Sequence, residues 1–171
     1  MSHPTNGRQY QLGQGLRATV LTTAEQTEGR HDLIEAVQPP GEITALHLHR
    51  RYEERLWVVG GSAEVWAGDQ YAMLGSGDFI HIGLNIPHAI KAGEGGCHAL
   101  NITSPAGFAE LVARAGTPAE LVTAETELDV ELFMAVTHEL GDIVLGPPGT
   151  LPCDLTPEQV TQALRDAVEG P

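Results

Sequence analysis

Between Arg17 and Thr103 the chain is written in short apolar or alternating runs, cut by Gly, Pro, Asn and Asp roughly every ten positions. A helix needs a longer uninterrupted stretch with a 3.6-residue period, so this punctuation excludes a helical bundle and predicts a stack of short strands. The candidate strands are Arg17–Thr22, Asp32–Val37, Glu42–His49, Arg55–Gly60, Ala63–Ala67, Gln70–Leu74, Asp78–Ile82, His88–Ala92 and Cys97–Thr103. Their separators include Pro39-Pro40-Gly41, Gly60-Gly61, Gly68-Asp69 and Gly93-Glu94-Gly95-Gly96. So many strands in one segment predict an all-β sandwich, jelly roll or barrel.

At Ser104 the pattern changes. Ser104-Pro105 reads as an N-cap with proline at the first helical position, followed by Phe108, Leu111, Val112 and Ala115 at helical spacing up to Gly116. A second helix is predicted over Asp129–Leu140 with Gly141 as its stop. Thr156-Pro157-Glu158-Gln159 reads as a capping box opening a last helix to about Val168. The expected organisation is a barrel with its first following helix over residues 1–116, and an acidic helical extension over 117–171 packed on it.

A length of 171 residues suits one core. Acidic residues outnumber basic ones 23 to 9, for a net charge of −14 that repels phosphate backbones and anionic leaflets. Nucleic acid and membrane surfaces are therefore not expected partners. Residues 1–116 hold 12 acidic and 8 basic residues, whereas 117–171 hold 11 acidic residues and Arg165 alone. Most of the charge thus belongs to the extension, and the barrel is nearly balanced. Cys97 and Cys153 make no CxxC spacing and read as reduced thiols. With no apolar run approaching the ~20 residues of a membrane helix and no leader-like N-terminus, a cytoplasmic location is expected.

The chemistry concentrates in Gly41-Glu-Ile-Thr-Ala-Leu-His47-Leu-His49-Arg-Arg-Tyr-Glu53-Glu54. Positions i and i+2 of a strand share a face, so His47 and His49 present two imidazoles side by side, as a first-row metal requires. Glu54 is five positions beyond His49, an odd offset, and joins them only across a turn, for which Arg50-Arg51-Tyr52 supplies the break.

This segment resembles the first motif of the cupin family: Gly, five residues, His, one, His, three or four, Glu, six, Gly. It matches with Glu53 and Gly60 or with Glu54 and Gly61, and the phrasing favours Glu54 as in the quercetin 2,3-dioxygenase-like branch. The second motif is similar to Gly77-Asp-Phe-Ile-His-Ile-Gly83-Leu-Asn85-Ile-Pro87-His88-Ala-Ile-Lys-Ala92, which brings His88 to the remaining ligand position. Gly83, Asn85 and Ala92 replace the motif's Pro, Gly and Asn. Asn tolerates the left-handed conformation that such a turn needs.

The resemblance implies a cupin jelly-roll barrel with a C-terminal helical extension. It also implies one divalent transition-metal ion held by His47, His49, Glu54 and His88, with Glu54 doubling as catalytic base. In that branch the glutamate deprotonates a flavonol hydroxyl and dioxygen opens the heterocycle with release of carbon monoxide. The expected protein is a dioxygenase for a flavonol-like or other enolisable aromatic substrate, using Fe, Ni, Co, Mn or Cu and dioxygen. A non-oxidative isomerase or cyclase of secondary metabolism, which would use Zn, and a binding cupin without turnover are the alternatives. A homodimer paired through barrel faces is implied as well.

Leu56 and Val58, in register with Glu54, and Ile43 and Ala45, in register with the histidines, are candidate walls of a pocket for a hydrophobic or aromatic molecule, or simply barrel core. His81 alternates with Ile80 and Ile82 and is expected to face away. His98 lines the pocket or an interface, and His138 is a solvated helix residue; His3 and His31 carry no argument. Arg50, Arg51 and Arg55 either attract an anionic substrate or form a solvated turn paired with Glu53. Phe108, Phe133 and Met134 cover the barrel mouth or pack in the core.

Overall fold

Residues 7–13 and 15–169 are described by a computed structural model; His3 lies outside them. Ten strands form among these residues: β1 (Arg8–Leu12), β2 (Leu16–Thr22), β3 (Asp32–Gln38), β4 (Ala45–His49), β5 (Glu53–Ala67), β6 (Gln70–Gly75), β7 (Phe79–Ile82), β8 (His88–Ser104), β9 (Thr117–Pro118) and β10 (Asp142–Pro148). The helices are α1 (Ala24–Thr27), α2 (Phe108–Ala115), α3 (Val130–Leu140) and α4 (Pro157–Glu169). The sheet runs β10-β4-β8-β3-β2-β1-β9, and β5 pairs with β6, β7 and β8, closing a jelly-roll barrel around an antiparallel framework.

Two pairs of expected strands are single long ones. Arg55–Gly60 and Ala63–Ala67 merge in β5, and His88–Ala92 and Cys97–Thr103 merge in β8. The glycines between them bend these strands without ending them. Register shifts fall at Val58/Gly60 and Gly61/Ala63, Gly61 has φ +73°, and a Cβ there would collide with the Gly96 carbonyl oxygen. Glycine thus lets one strand serve both halves of the barrel through a bulge. The expected start of β4 at Glu42 moves to Ala45, and β1, β9, β10 and α1 have no counterpart in the sequence reading.

Ser104-Pro105 is not the N-cap of α2. The helix starts at Phe108 after Gly107, and its orphan amides are met from another strand: Asp32 Oδ2 accepts from Gly107 N and Ala109 N, both at 2.9 Å. Thr103 Oγ1 donates to the other oxygen of the same carboxylate. Ser104 Oγ instead donates to the Arg30 carbonyl at 2.8 Å. The helix thereby lays Ala109 and Val112 onto Tyr10, Leu12, Ala18, Val20 and Ile34. Leu111 and Ala115 meet Val136 of α3. Phe108 and Phe133 pack between these clusters, whereas Met134 is exposed.

The other caps agree with the sequence. Asp129 accepts from Leu132 N at 2.9 Å and Gly141 closes α3 in the left-handed conformation. Thr156 and Gln159 exchange bonds of 2.8 and 3.3 Å at the start of α4. The segment after residue 116 is nonetheless not only helical, because β10 pairs antiparallel with β4 and extends the sheet of the barrel. No helix among the described residues is long and apolar enough to cross a membrane.

Candidate metal centre

β4 presents His47 and His49 on one face and Leu46 and Leu48, both 0% exposed, on the other. Arg50 and Arg51 break the chain, and β5 re-enters with Glu54 on the inner face. His47 pairs directly with His88 across β4 and β8. The loop before β8 is held to the same site: Asn85 has φ 60° and donates its N–H to the His49 carbonyl at 2.8 Å. This is the left-handed turn expected where the motif has glycine. One ligand atom from each of His47, His49, Glu54 and His88 lies within 4.8 Å of the others. Donors bonded at about 2.1 Å to one ion lie at most about 4.2 Å apart, so the cluster is close to such a donor set and slightly wider.

Each imidazole is held by its other nitrogen. His47 Nδ1 lies 2.7 Å from the Ala45 carbonyl and His88 Nδ1 2.9 Å from the Ile86 carbonyl. His49 Nδ1 lies 2.9 Å from Asp142 Oδ1. Acceptors at all three Nδ1 atoms hold the N–H there and aim the three Nε2 atoms into the cluster, the orientation a metal ligand needs. Glu54 Oε2 lies 3.2 Å from both His49 Nε2 and His88 Nε2.

Burial and charge divide the group. Desolvation, reinforced by the neighbouring His88 and His49, holds His47 well below its ordinary value and keeps it neutral. Burial opposes charge on His49 too, but its hydrogen bonds to Asp142 and Glu54 outweigh it and raise the ring to about 9. Burial would raise Glu54, and the hydrogen bonds from His49 and His88 overcome it and hold the carboxylate well below its usual range. Three inward nitrogens and an ionised carboxylate form a donor set for a divalent first-row ion.

Glu53 and Glu54 separate cleanly. Glu54 is 5% exposed and faces inward, while Glu53 points out to Arg55 at 2.8 Å and His81 at 3.1 Å. His81 therefore faces away from the site. His98 lies 2.8 Å from Glu35 on the outer side of the sheet, and His138 is exposed. Of the arginines only Arg55 pairs with Glu53. Arg51 donates to the Glu139 carbonyl at 3.1 Å and Arg50 to that of Ala167 at 2.9 Å, so this turn grips the last turns of α3 and α4.

Leu56 and Val58 are buried on the Glu54 face, among Ala63, Val65, Leu74 and Ile82. Ile43 and Ala45 are half-buried beside the histidines. Three residues around the site escaped sequence reasoning: Asp142, Tyr52 and Asn101. Asn101 stands opposite Leu56 and Ile34 in the strand registers, one rung along the inner face from Glu54. It is buried, and its Oδ1 has no hydrogen-bond partner. Asp142 is separated from His49 by 93 positions, and no local pattern signals such a pairing. A separate cleft of about 510 Å³, walled by Tyr10, Val20, Thr23, Gln26, Ala106 and Ala113, includes none of the four clustered residues.

Residues 34–103, which contain all four, match the cupin domain family. The segment that carries the site is a cupin domain. The chain is 22% identical over 101 residues to the quercetin 2,3-dioxygenase of Bacillus subtilis (strain 168), in a match covering 59% of the chain but only 30% of that enzyme. Its barrel is similar to the solved structure of KdgF from Halomonas sp., with a TM-score of 0.52 and 18% identity over 57% of this chain and 86% of that one. The polyketide cyclase RemF from Streptomyces resistomycificus gives 0.51 and 23% over 61% and 78%. An RmlC-like cupin from Shewanella frigidimarina gives 0.52 and 19% over 61% and 89%. At these identities the structural likeness concerns the fold.

Proposed function

We propose that this cupin is a mononuclear metal-dependent dioxygenase for a flavonol-like or other enolisable aromatic small molecule. The observation that carries the reading is the convergence of His47, His49, Glu54 and His88 inside the barrel, with every Nδ1 engaged elsewhere. A divalent ion held there would supply a Lewis acid for substrate and dioxygen. His47, His49 and His88 would hold the ion through Nε2, and Glu54 would offer a carboxylate oxygen as ligand and as base for the substrate's hydroxyl proton. Leu56 and Val58 provide an apolar wall, and the unpartnered Asn101 oxygen suits a second hydroxyl of the ring system. The partial match to quercetin 2,3-dioxygenase supports this choice of chemistry.

The test is dioxygen uptake with a panel of flavonols by protein loaded separately with Fe, Ni, Co, Mn and Cu. Consumption of one dioxygen per flavonol, with carbon monoxide released, is expected; none across the panel overturns the reading. The likeness to a polyketide cyclase favours a second reading, a non-oxidative cyclase or isomerase. It calls for zinc in the isolated protein and turnover under strict anaerobiosis. Tight retention of a small molecule without product would instead mark a binding cupin. The exposed Trp57, Val59 and Phe79, on the outer face of β5 and β7, suit pairing of two barrels, which light scattering on the purified protein tests.

A further inference from the structure

We infer that Asp142, brought in by β10, is a positioning residue for His49, which makes the segment beyond residue 116 part of the metal centre. The inference rests on the reading of the four-residue cluster as a metal site. His47 and His88 are each oriented by a backbone carbonyl two residues earlier in the chain. His49 is oriented by a side chain 93 positions away. Asp142 sits opposite His49 in the β10–β4 register and is 3% exposed. Both of its oxygens are used, Oδ1 by His49 Nδ1 at 2.9 Å and Oδ2 by the Tyr52 hydroxyl at 2.6 Å.

The Tyr52 ring in turn stacks on His49, with centroids 4.4 Å apart and planes at 28°. Gly107 leaves it room, because a Cβ there would overlap the tyrosine ring. The imidazole is thus fixed at its edge by a carboxylate and across its face by the phenol that the same carboxylate holds. A buried anion on the Nδ1 side strengthens Nε2 as a donor to a cation, and partners of this kind are typically worth 10- to 100-fold in metal affinity. The turn between His49 and Tyr52 anchors the extension separately, through Arg50 and Arg51 on the carbonyls of Ala167 and Glu139. Docking of α4 through Arg50 and orientation of His49 through Asp142 are therefore separable by mutation.

The experiment is chelator-competition titration of the full chain with Co²⁺, read by its visible absorption. Asp142→Asn is expected to weaken Co²⁺ about 10- to 100-fold and to alter the absorption bands. Arg50→Ala, which frees α4 at Ala167 and leaves the β10–β4 pairing that carries Asp142 in place, is expected to keep the wild-type affinity. In a His49→Ala background, Asp142→Asn is expected to add no further loss. Tyr52→Phe, which retains the ring, gives a smaller loss in the same direction and serves if Asp142→Asn does not fold. The inference is overturned if Asp142→Asn binds as the wild type does, if Arg50→Ala weakens binding equally, or if the loss persists without His49. A wild type that takes up no Co²⁺ overturns the metal reading itself, a result distinguishable from these.

Discussion

Glu54 Oε2 and His49 Nε2 face each other at 3.2 Å inside the barrel, and the opposite nitrogen of that ring is taken by Asp142. The metal-free site therefore holds an imidazolium between two carboxylates. Raised to about 9 from an ordinary 6.5, His49 contributes stability that is fully present below pH 6.5 and is lost as pH climbs through about 9. Glu54, lowered from 4.5, contributes stability present above that value and lost as pH falls below it. Metal-free protein is expected to melt highest between these limits.

Loading the site removes that proton. A cation on His49 Nε2 needs a neutral ring, so uptake at pH 7 should release about one proton, and affinity should rise about tenfold per pH unit until pH 9 is approached. Calorimetry in two buffers of different ionisation enthalpy measures the release directly. Equal heats in both would show that the histidine is already neutral.

Glu54→Gln should cut metal content sharply and lower turnover by roughly 10²- to 10⁴-fold through loss of ligand and base. Glu53→Gln should leave both at wild-type levels, since that side chain faces Arg55 and His81 on the surface. Metal analysis beside an oxygen electrode checks the pair; the reverse pattern would move the base to Glu53.

Asn101→Leu removes a buried acceptor that has no partner, so the melting temperature should hold or rise and metal content should not change. Binding of a hydroxylated flavonol should weaken about tenfold, equivalent to one hydrogen bond of about 1.4 kcal/mol. A lower melting temperature with unchanged ligand affinity would assign Asn101 to the fold.

Asp32→Ala strips α2 of its remote cap. Its carboxylate accepts from Gly107 N, Ala109 N and Thr103 Oγ1 while only 1% exposed, so a loss of about 3 kcal/mol is expected in urea unfolding. An effect under about 0.5 kcal/mol would mean that water replaces it.

Much of the barrel and its site was legible because its signals are local. Period-two alternation marked β2 to β8, the i, i+2 spacing put His47 and His49 on one face, and the Arg50–Tyr52 break allowed Glu54 to join them. Asn85, standing where the resembled motif has glycine, adopts the left-handed turn expected there. Glycine was misread at Gly60-Gly61 and Gly93–Gly96, because its freedom serves a bend inside a strand as well as a turn between strands. Ser104-Pro105 was misread because a cap is a hydrogen bond to an amide, and Asp32 supplies that bond from another strand.

The sequence by itself determined the run of short strands and the pairing of His47 with His49 on one face, and its likeness to the family motifs favoured His88 and, of two adjacent glutamates, Glu54. The tertiary structure turns Glu54 inward and Glu53 out through the register of β5 with β7 and β8. It alone placed Asp142 on His49 and left the Asn101 oxygen unpaired inside the barrel. A strand's alternation records which face a residue takes, but not which distant strand will lie beside it. That choice follows from the cooperative burial of the whole chain, and it decided what surrounds the four converging side chains.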